Sequence, residues 1–295
     1  MTNRNCGKVG VATRWGALAR YAAALGMVSA VSACSAAPEA GEPNDAISET
    51  KQEIYSTYTW TQNGATQQML PVSEGFCFIT KITGKFRGDQ EWVSLDHSSG
   101  FWTLSGHSNQ HSVAVQAACV KYSELGASSG SVPYDTGWVS GYTWVLTDPN
   151  EFCYMTGFKG QADSYRDGVW VYPLPGSVPG YEIEAYHSGG NGIWGKMSCV
   201  RLADKNFLPF GSYQLSQKWT DFCTNNTSCY NSQTISSSQR FYCMLSQVQG
   251  QLRGSGEIAS VVRNSDTNWT LNADSMRACS DGNCQLTTTA TCNFY

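Results

Sequence analysis

From residue 58 onward, apolar positions fall in short runs, and glycine or small polar residues break each run. Cys77–Thr83, Trp92–Leu95, Phe101–Leu104 and Val113–Val120 read as strands. The breaks between them are residues 84–88, 97–100 and 106–111, rich in Gly, Ser, Asn and His. That spacing predicts an antiparallel meander. No extended 3.6-residue apolar period occurs after residue 55, so the expected fold class is all-β.

The pattern is written three times. Each copy opens on an aromatic-Cys unit: Phe76-Cys77, Phe152-Cys153 and Tyr242-Cys243. A glycine follows seven residues after each Cys, at Gly84, Gly160 and Gly250, and each copy closes on a second Cys, at Cys119, Cys199 and Cys292. Copies one and three also share Arg87-Gly88 with Arg253-Gly254, and Glu91 with Glu257, at equal offsets. Counted back from the closing Cys, residues 100–108 align without gaps on 180–188, which superposes His107-Ser108 on His187-Ser188. Trp269-Thr-Leu matches Trp102-Thr-Leu. Tyr58-Thr-Trp60 and Tyr142-Thr-Trp144 read as a shared entry strand, with Tyr213 opening copy three. The copies are therefore expected at 58–141, 142–212 and 213–295. A fixed internal period of this kind marks a repeat architecture.

Symmetry chooses the cysteine partners. The brackets pair Cys77–Cys119, Cys153–Cys199 and Cys243–Cys292, and the remaining short loops pair Cys223–Cys229 and Cys279–Cys284. An even count in symmetric places reads as a disulfide framework of an oxidising compartment. The close Cys/His pairs of a zinc site are absent, so no metal or other cofactor is expected. Each long bridge contributes on the order of 3–4 kcal/mol in the loop-entropy picture. Each bracket is expected to join the first and last strands of a four-strand sheet. One sheet has one good face to bury, and the linkers are short, so the three modules are expected to pack as one pseudo-threefold body.

Residues 1–33 differ from the rest. Arg4, Lys8, Arg14 and Arg20 precede an apolar stretch of residues 21–33 that contains no acid. It suits a signal-peptide core and is short for a bilayer span. The stretch ends in Val31-Ser32-Ala33-Cys34. This segment resembles the bacterial lipoprotein lipobox, which implies lipidation of Cys34 and, with Ser35 following, an outer-membrane or cell-surface location. The alternative is plain secretion or a periplasmic location. Residues 34–55 are rich in Ala, Pro, Glu and Ser and read as a flexible acidic tether.

Removal of residues 1–33 leaves 15 Lys+Arg against 23 Asp+Glu, a net charge of −8. With no basic stripe, nucleic acid is not an expected partner.

Candidate chemistry is sparse. His107, Ser108, His187, Ser188 and the recurrent Trp102 are the candidate binding residues. The competing reading makes the His-Ser pairs turn residues and the Trp a core residue. Asp96-His97 could serve a hydrolase, but no Gly-x-Ser-x-Gly elbow accompanies it. Asp266, Asp281 and Asn283 lack the spacing of a calcium loop. The nine Trp outside the signal segment, set among Tyr, Asn, Gln and Ser, suit sugar faces and hydroxyls. The chain therefore reads as a non-enzymatic surface or secreted binding protein with an extracellular ligand, carbohydrate first. A structural or protein-partner envelope module is the alternative, and a secreted hydrolase the third reading.

Overall fold

The computed structural model describes residues 56–110, 112–175, 179–189, 192–205, 214–223, 229–254, 257–275 and 284–294. The expectations for the signal segment, Cys34 and the tether lie outside them. The described chain is all-β, with one 3-10 turn at Tyr122–Leu125. Each copy supplies six strands where the sequence pattern predicts a four-strand sheet. Copy one runs β1 (Ser56–Thr61), β2 (Gln67–Pro71), β3 (Gly75–Thr83), β4 (Arg87–Asp96), β5 (Phe101–His107) and β6 (Ala114–Lys121). Copy two runs β7 (Gly130–Asp135), β8 (Gly141–Leu146), β9 (Glu151–Gln161), β10 (Gly168–Pro173), β11 (Gly180–Tyr186) and β12 (Ile193–Leu202). Copy three runs β13 (Gln214–Cys223), β14 (Cys229–Ser236), β15 (Phe241–Gly250), β16 (Ile258–Ser265), β17 (Asn268–Ser275) and β18 (Cys284–Phe294).

These strands form three six-stranded sheets. Sheet A has the order β1-β6-β3-β16-β17-β14, sheet B β2-β5-β4-β9-β12-β7, and sheet C β13-β18-β15-β10-β11-β8. The first, sixth and third strands of a copy stay together. Its second, fifth and fourth strands pass to the sheet of the next copy, where β4 meets β9, β10 meets β15 and β16 meets β3. The exchange is cyclic, so no copy forms a closed sheet of its own, and residues 51–295 make one compact unit.

This corrects two expectations. Cys77–Cys119, Cys153–Cys199 and Cys243–Cys292 are bonded as expected, with Cα atoms 4.0, 3.9 and 4.1 Å apart. Each bridge joins neighbouring antiparallel strands at directly opposed positions, not the two ends of a sheet, because the intervening hairpin belongs to another sheet. The shared entry strand also moves. Gly130–Asp135 holds in sheet B the edge place that β1 holds in sheet A, so the six-strand pattern of copy two opens at 130 and not at 142. Tyr142-Thr-Trp144 lies on β8, the counterpart of β2. The side chains of Cys223, Cys229, Cys279 and Cys284 lie outside the described residues. The backbone register sets Cys223 opposite Cys284.

The repeated sequence marks meet inside. The rings of Phe76, Phe152 and Tyr242 touch in a closed triangle, with centroids 5.2, 5.7 and 6.1 Å apart. Two of those contacts are edge-to-face, a favoured aromatic geometry. Just past the ends of the same strands, Phe86 N–H donates to Leu252 O (2.7 Å), Leu252 N–H to Ala162 O (2.9 Å) and Ala162 N–H to Phe86 O (2.9 Å). These three buried residues each stand two places after a repeated glycine. The glycines are required: Gly84, Gly160 and Gly250 have φ of 106°, 114° and 131°, and a Cβ on Gly84 or Gly160 would lie 2.2 Å from a carbonyl oxygen.

Candidate functional site

Buried residues explain most of the predicted site. Trp102 is fully buried, and its indole N–H donates to Gly75 O at 3.0 Å. Trp269 repeats this bond to Phe241 O at 3.0 Å, and Gly75 and Phe241 both stand two residues before a bracketing Cys. Trp102 is thus an anchor of the core and not a ligand platform. Ser108 is buried too, and its hydroxyl accepts Gln110 N–H at 2.9 Å within its own turn.

The His-Ser alignment is displaced by one residue. Trp102 and Leu104 point inward on β5, and so do Tyr181 and Ile183 on β11. The ungapped alignment would put Trp102 on Glu182, which faces outward. A one-residue slip turns every side chain to the other face, so Trp102 corresponds to Tyr181 and His107 to Tyr186. His107 is exposed at the end of sheet B, opposite Trp92. His187 instead follows β11 in sheet C with a nearly buried ring, its Nε2 3.6 Å from Asp167 Oδ2. The structure does not bring the two pairs into a common arrangement.

Asp167 was legible but missed. It stands seven residues after Gly160, as Glu91 does after Gly84 and Glu257 after Gly250, and all three acids are buried. Glu257 accepts Gly254 N–H at 2.8 Å. Asp167 accepts the equivalent Ser164 N–H at 2.8 Å, and both N–H and O–H of Ser188 at 2.8 Å. In copies two and three the acid thus closes the loop that follows the repeated glycine. Asp163, Asp167 and His187 offer atoms within 4.8 Å of one another, the spacing of a cation site. Yet Asp167 already accepts several donors, and His187 Nδ1 accepts Gly189 N–H at 3.0 Å, which puts the ring proton on Nε2. Asp167 thus staples the 163–164 loop to Ser188 by hydrogen bonds.

Asp96 and His97 join a polar cluster on sheet B. Buried Lys196 pairs with Asp96 and lies 3.5 Å from Asp135, which is 3.3 Å from His97 Nε2. Ser94 donates to Asp96 at 2.9 Å and buried Ser198 to Asp135 at 3.2 Å. These hydroxyls serve carboxylates and not the imidazole. Burial pushes the Asp135 carboxyl up, but the His97 hydrogen bond, the Gly137 N–H and the charge of Lys196 outweigh it and hold the pKa down at about 2. Elsewhere, Asp266 is paired with Arg240 and Arg263, while Asp281 and Asn283 lie outside the described residues.

The outer face of sheet C is different in kind. On edge strand β8, Tyr142, Trp144 and Leu146 are 72%, 56% and 56% exposed. Residues directly opposed across strands share a face. Trp144 stands opposite Glu182, which stands opposite Tyr172. Tyr142 stands opposite Glu184, then Trp170, then Gln247. Two parallel rows result, each a carboxylate between two aromatic side chains. By ordinary strand spacing the rings of one row lie about 10 Å apart and the rows about 7 Å apart. Burial and a hydrogen bond to Glu182 push the Tyr172 phenol up to about 12, so it stays a neutral donor. Gln247 donates to Gln249 at 2.8 Å and accepts from Thr289 at 2.7 Å, extending a fixed polar ladder inward from the rows. Beyond Leu146, a cleft of about 230 Å³ is lined by Tyr134, Val145, Asp148, Glu151 and Arg201 among others.

Sequence reasoning passed over these rows because register, not spacing, assembles them. The one available signal was the alternation of Tyr142, Trp144 and Leu146. Comparison with protein-family models, curated proteins and solved structures finds no match to this chain.

Proposed function

We propose that this is a non-enzymatic, extracytoplasmic binding protein, held at the cell surface by lipid on Cys34, whose sheet C outer face binds a glycan. The observation that carries this reading is the pair of outward-facing rows Trp144–Glu182–Tyr172 and Tyr142–Glu184–Trp170, in which Trp144 and Tyr142 are exposed and the other four residues half-buried. Flat rings offer apolar area to the C–H faces of sugars, and carboxylates, amides and a phenol set among them meet the hydroxyls. The three disulfides support an oxidising compartment. The aromatic triangle and the ring of backbone bonds support a pseudo-threefold body. Affinity electrophoresis and a glycan array test the binding. Wild type is expected to bind weakly, and Y142S/W144T to lose binding with its thermal midpoint unchanged. A blank array for wild type contradicts the reading. Fatty-acid labelling that persists in Cys34→Ser contradicts the anchor.

The open edge of β8 favours one second reading. An exposed apolar edge strand is a template for another chain, so a protein partner of the envelope could add a strand there. In that case the array is blank, and a partner protein protects the β8 amides from hydrogen exchange.

A further inference from the structure

Glu182 and Glu184 alternate along β11 on the outer face, each flanked by aromatic side chains on both neighbouring strands. No ion pair engages either of them among the described residues. Arg166, near one end of this face, lies 5.3 Å over the Tyr165 ring and is held by the Tyr165 and Tyr186 hydroxyls. The fold itself does not call for acids here. Thr103 and Ser105 hold the corresponding places in sheet B, and Thr270 and Asn272 in sheet A. Two like charges about 7 Å apart on one strand repel each other until a cation arrives. The rings beside them present negative π-faces, which also attract cations. The net charge of −8 on residues 34–295 adds long-range attraction of the same sign.

We propose that the ligand of this face is an amino-sugar polymer with free amines, a glucosamine chain in its cationic form. The inference rests on the glycan reading above and narrows it to one charge class. Ammonium groups sit over Glu182 and Glu184, and the apolar sugar faces lie on Trp144 and Tyr142. A neutral glycan would leave the carboxylates without charge partners. An acidic one would be repelled.

Calorimetric titration of the folded protein with two oligomers of equal length tests this. One is glucosamine with free amines, the other its N-acetylated and uncharged counterpart, both in mildly acidic low-salt buffer. The free-amine oligomer is expected to bind about tenfold more tightly. Added salt narrows that ratio. E182Q/E184Q brings it near one while keeping the wild-type thermal midpoint. W144T weakens both. Equal affinities in wild type, or a preference that survives E182Q/E184Q, overturn the cationic assignment and leave the glycan reading standing. Binding of neither oligomer, with a blank array, overturns both. Polylysine bound as tightly as the free-amine oligomer through the same glutamates overturns the sugar assignment in favour of a basic peptide.

Discussion

Sheets A and C present opposite surfaces from equivalent positions. Thr234, Thr270 and Val262 in sheet A stand where Trp144, Glu182 and Tyr172 stand in sheet C. Ser232, Asn272 and Ser260 stand where Tyr142, Glu184 and Trp170 stand. Inside, the two sheets agree: Trp269 and Leu271 in one, Tyr181 and Ile183 in the other, all buried. The strand exchange fixes the inward positions, since each must fill the core shared by three sheets. The outward positions are free, and only sheet C fills them with rings and acids. Sheet B lies between the two: it carries the Lys196 polar cluster, and the Trp138 ring covers Gly157.

If that division is right, inward anchors matter equally in both sheets. Trp269→Ala and Tyr181→Ala are each expected to lower stability by about 3–4 kcal/mol, read from chemical denaturation. A loss confined to one sheet breaks the equivalence. Next in size is the Asp135 cluster of sheet B. Its carboxyl is held below the ordinary value of 3.8, at about 2. A depressed acid stabilises the fold above its unfolded pKa, and that contribution fades as pH falls through the folded value. Asp135→Asn should therefore cost about 1 kcal/mol at neutral pH, since solvent screens a carboxyl that is only partly buried. The gap to wild type should close between about pH 4 and pH 2 in parallel denaturation curves. A gap that is constant with pH contradicts the assignment. Trp144→Thr, which copies sheet A, should move stability by less than about 0.5 kcal/mol and weaken glycan binding. Smallest is Tyr154→Phe. The Tyr154 hydroxyl is buried and makes no hydrogen bond among the described residues, so its removal should leave the thermal midpoint unchanged or slightly higher.

The sequence displayed the core better than the surface. The aromatic residues before the bracketing cysteines recur because their rings meet at the centre, the repeated glycines because each turns the chain with a positive φ, and the cysteines because each pair bridges two neighbouring strands. That is why the three bracket disulfides could be paired in advance. The strand exchange could not be read, because a hairpin that crosses to the next sheet has the same local pattern as one that folds back. The His-Ser recurrence misled for a physical reason. Gapless counting ignores which face a residue occupies, and the burial of Trp102 and Tyr181 reveals the slip. The rows on sheet C were hidden because their members come from strands 142–146, 170–172 and 182–184 and meet only through register. Asp167 could have been found, since its offset from Gly160 matches those of Glu91 and Glu257.

If binding belongs to the outer face of sheet C and not to the fold in general, changes on sheet A leave it intact. The most direct test is a side-by-side titration of wild type, Y142S/W144T and S232A/T234A with the free-amine glucosamine oligomer. The sheet C pair is expected to lose at least tenfold in affinity while the sheet A pair binds as wild type does. Equal affinities for all three proteins, or equal losses in both variants, would contradict that placement.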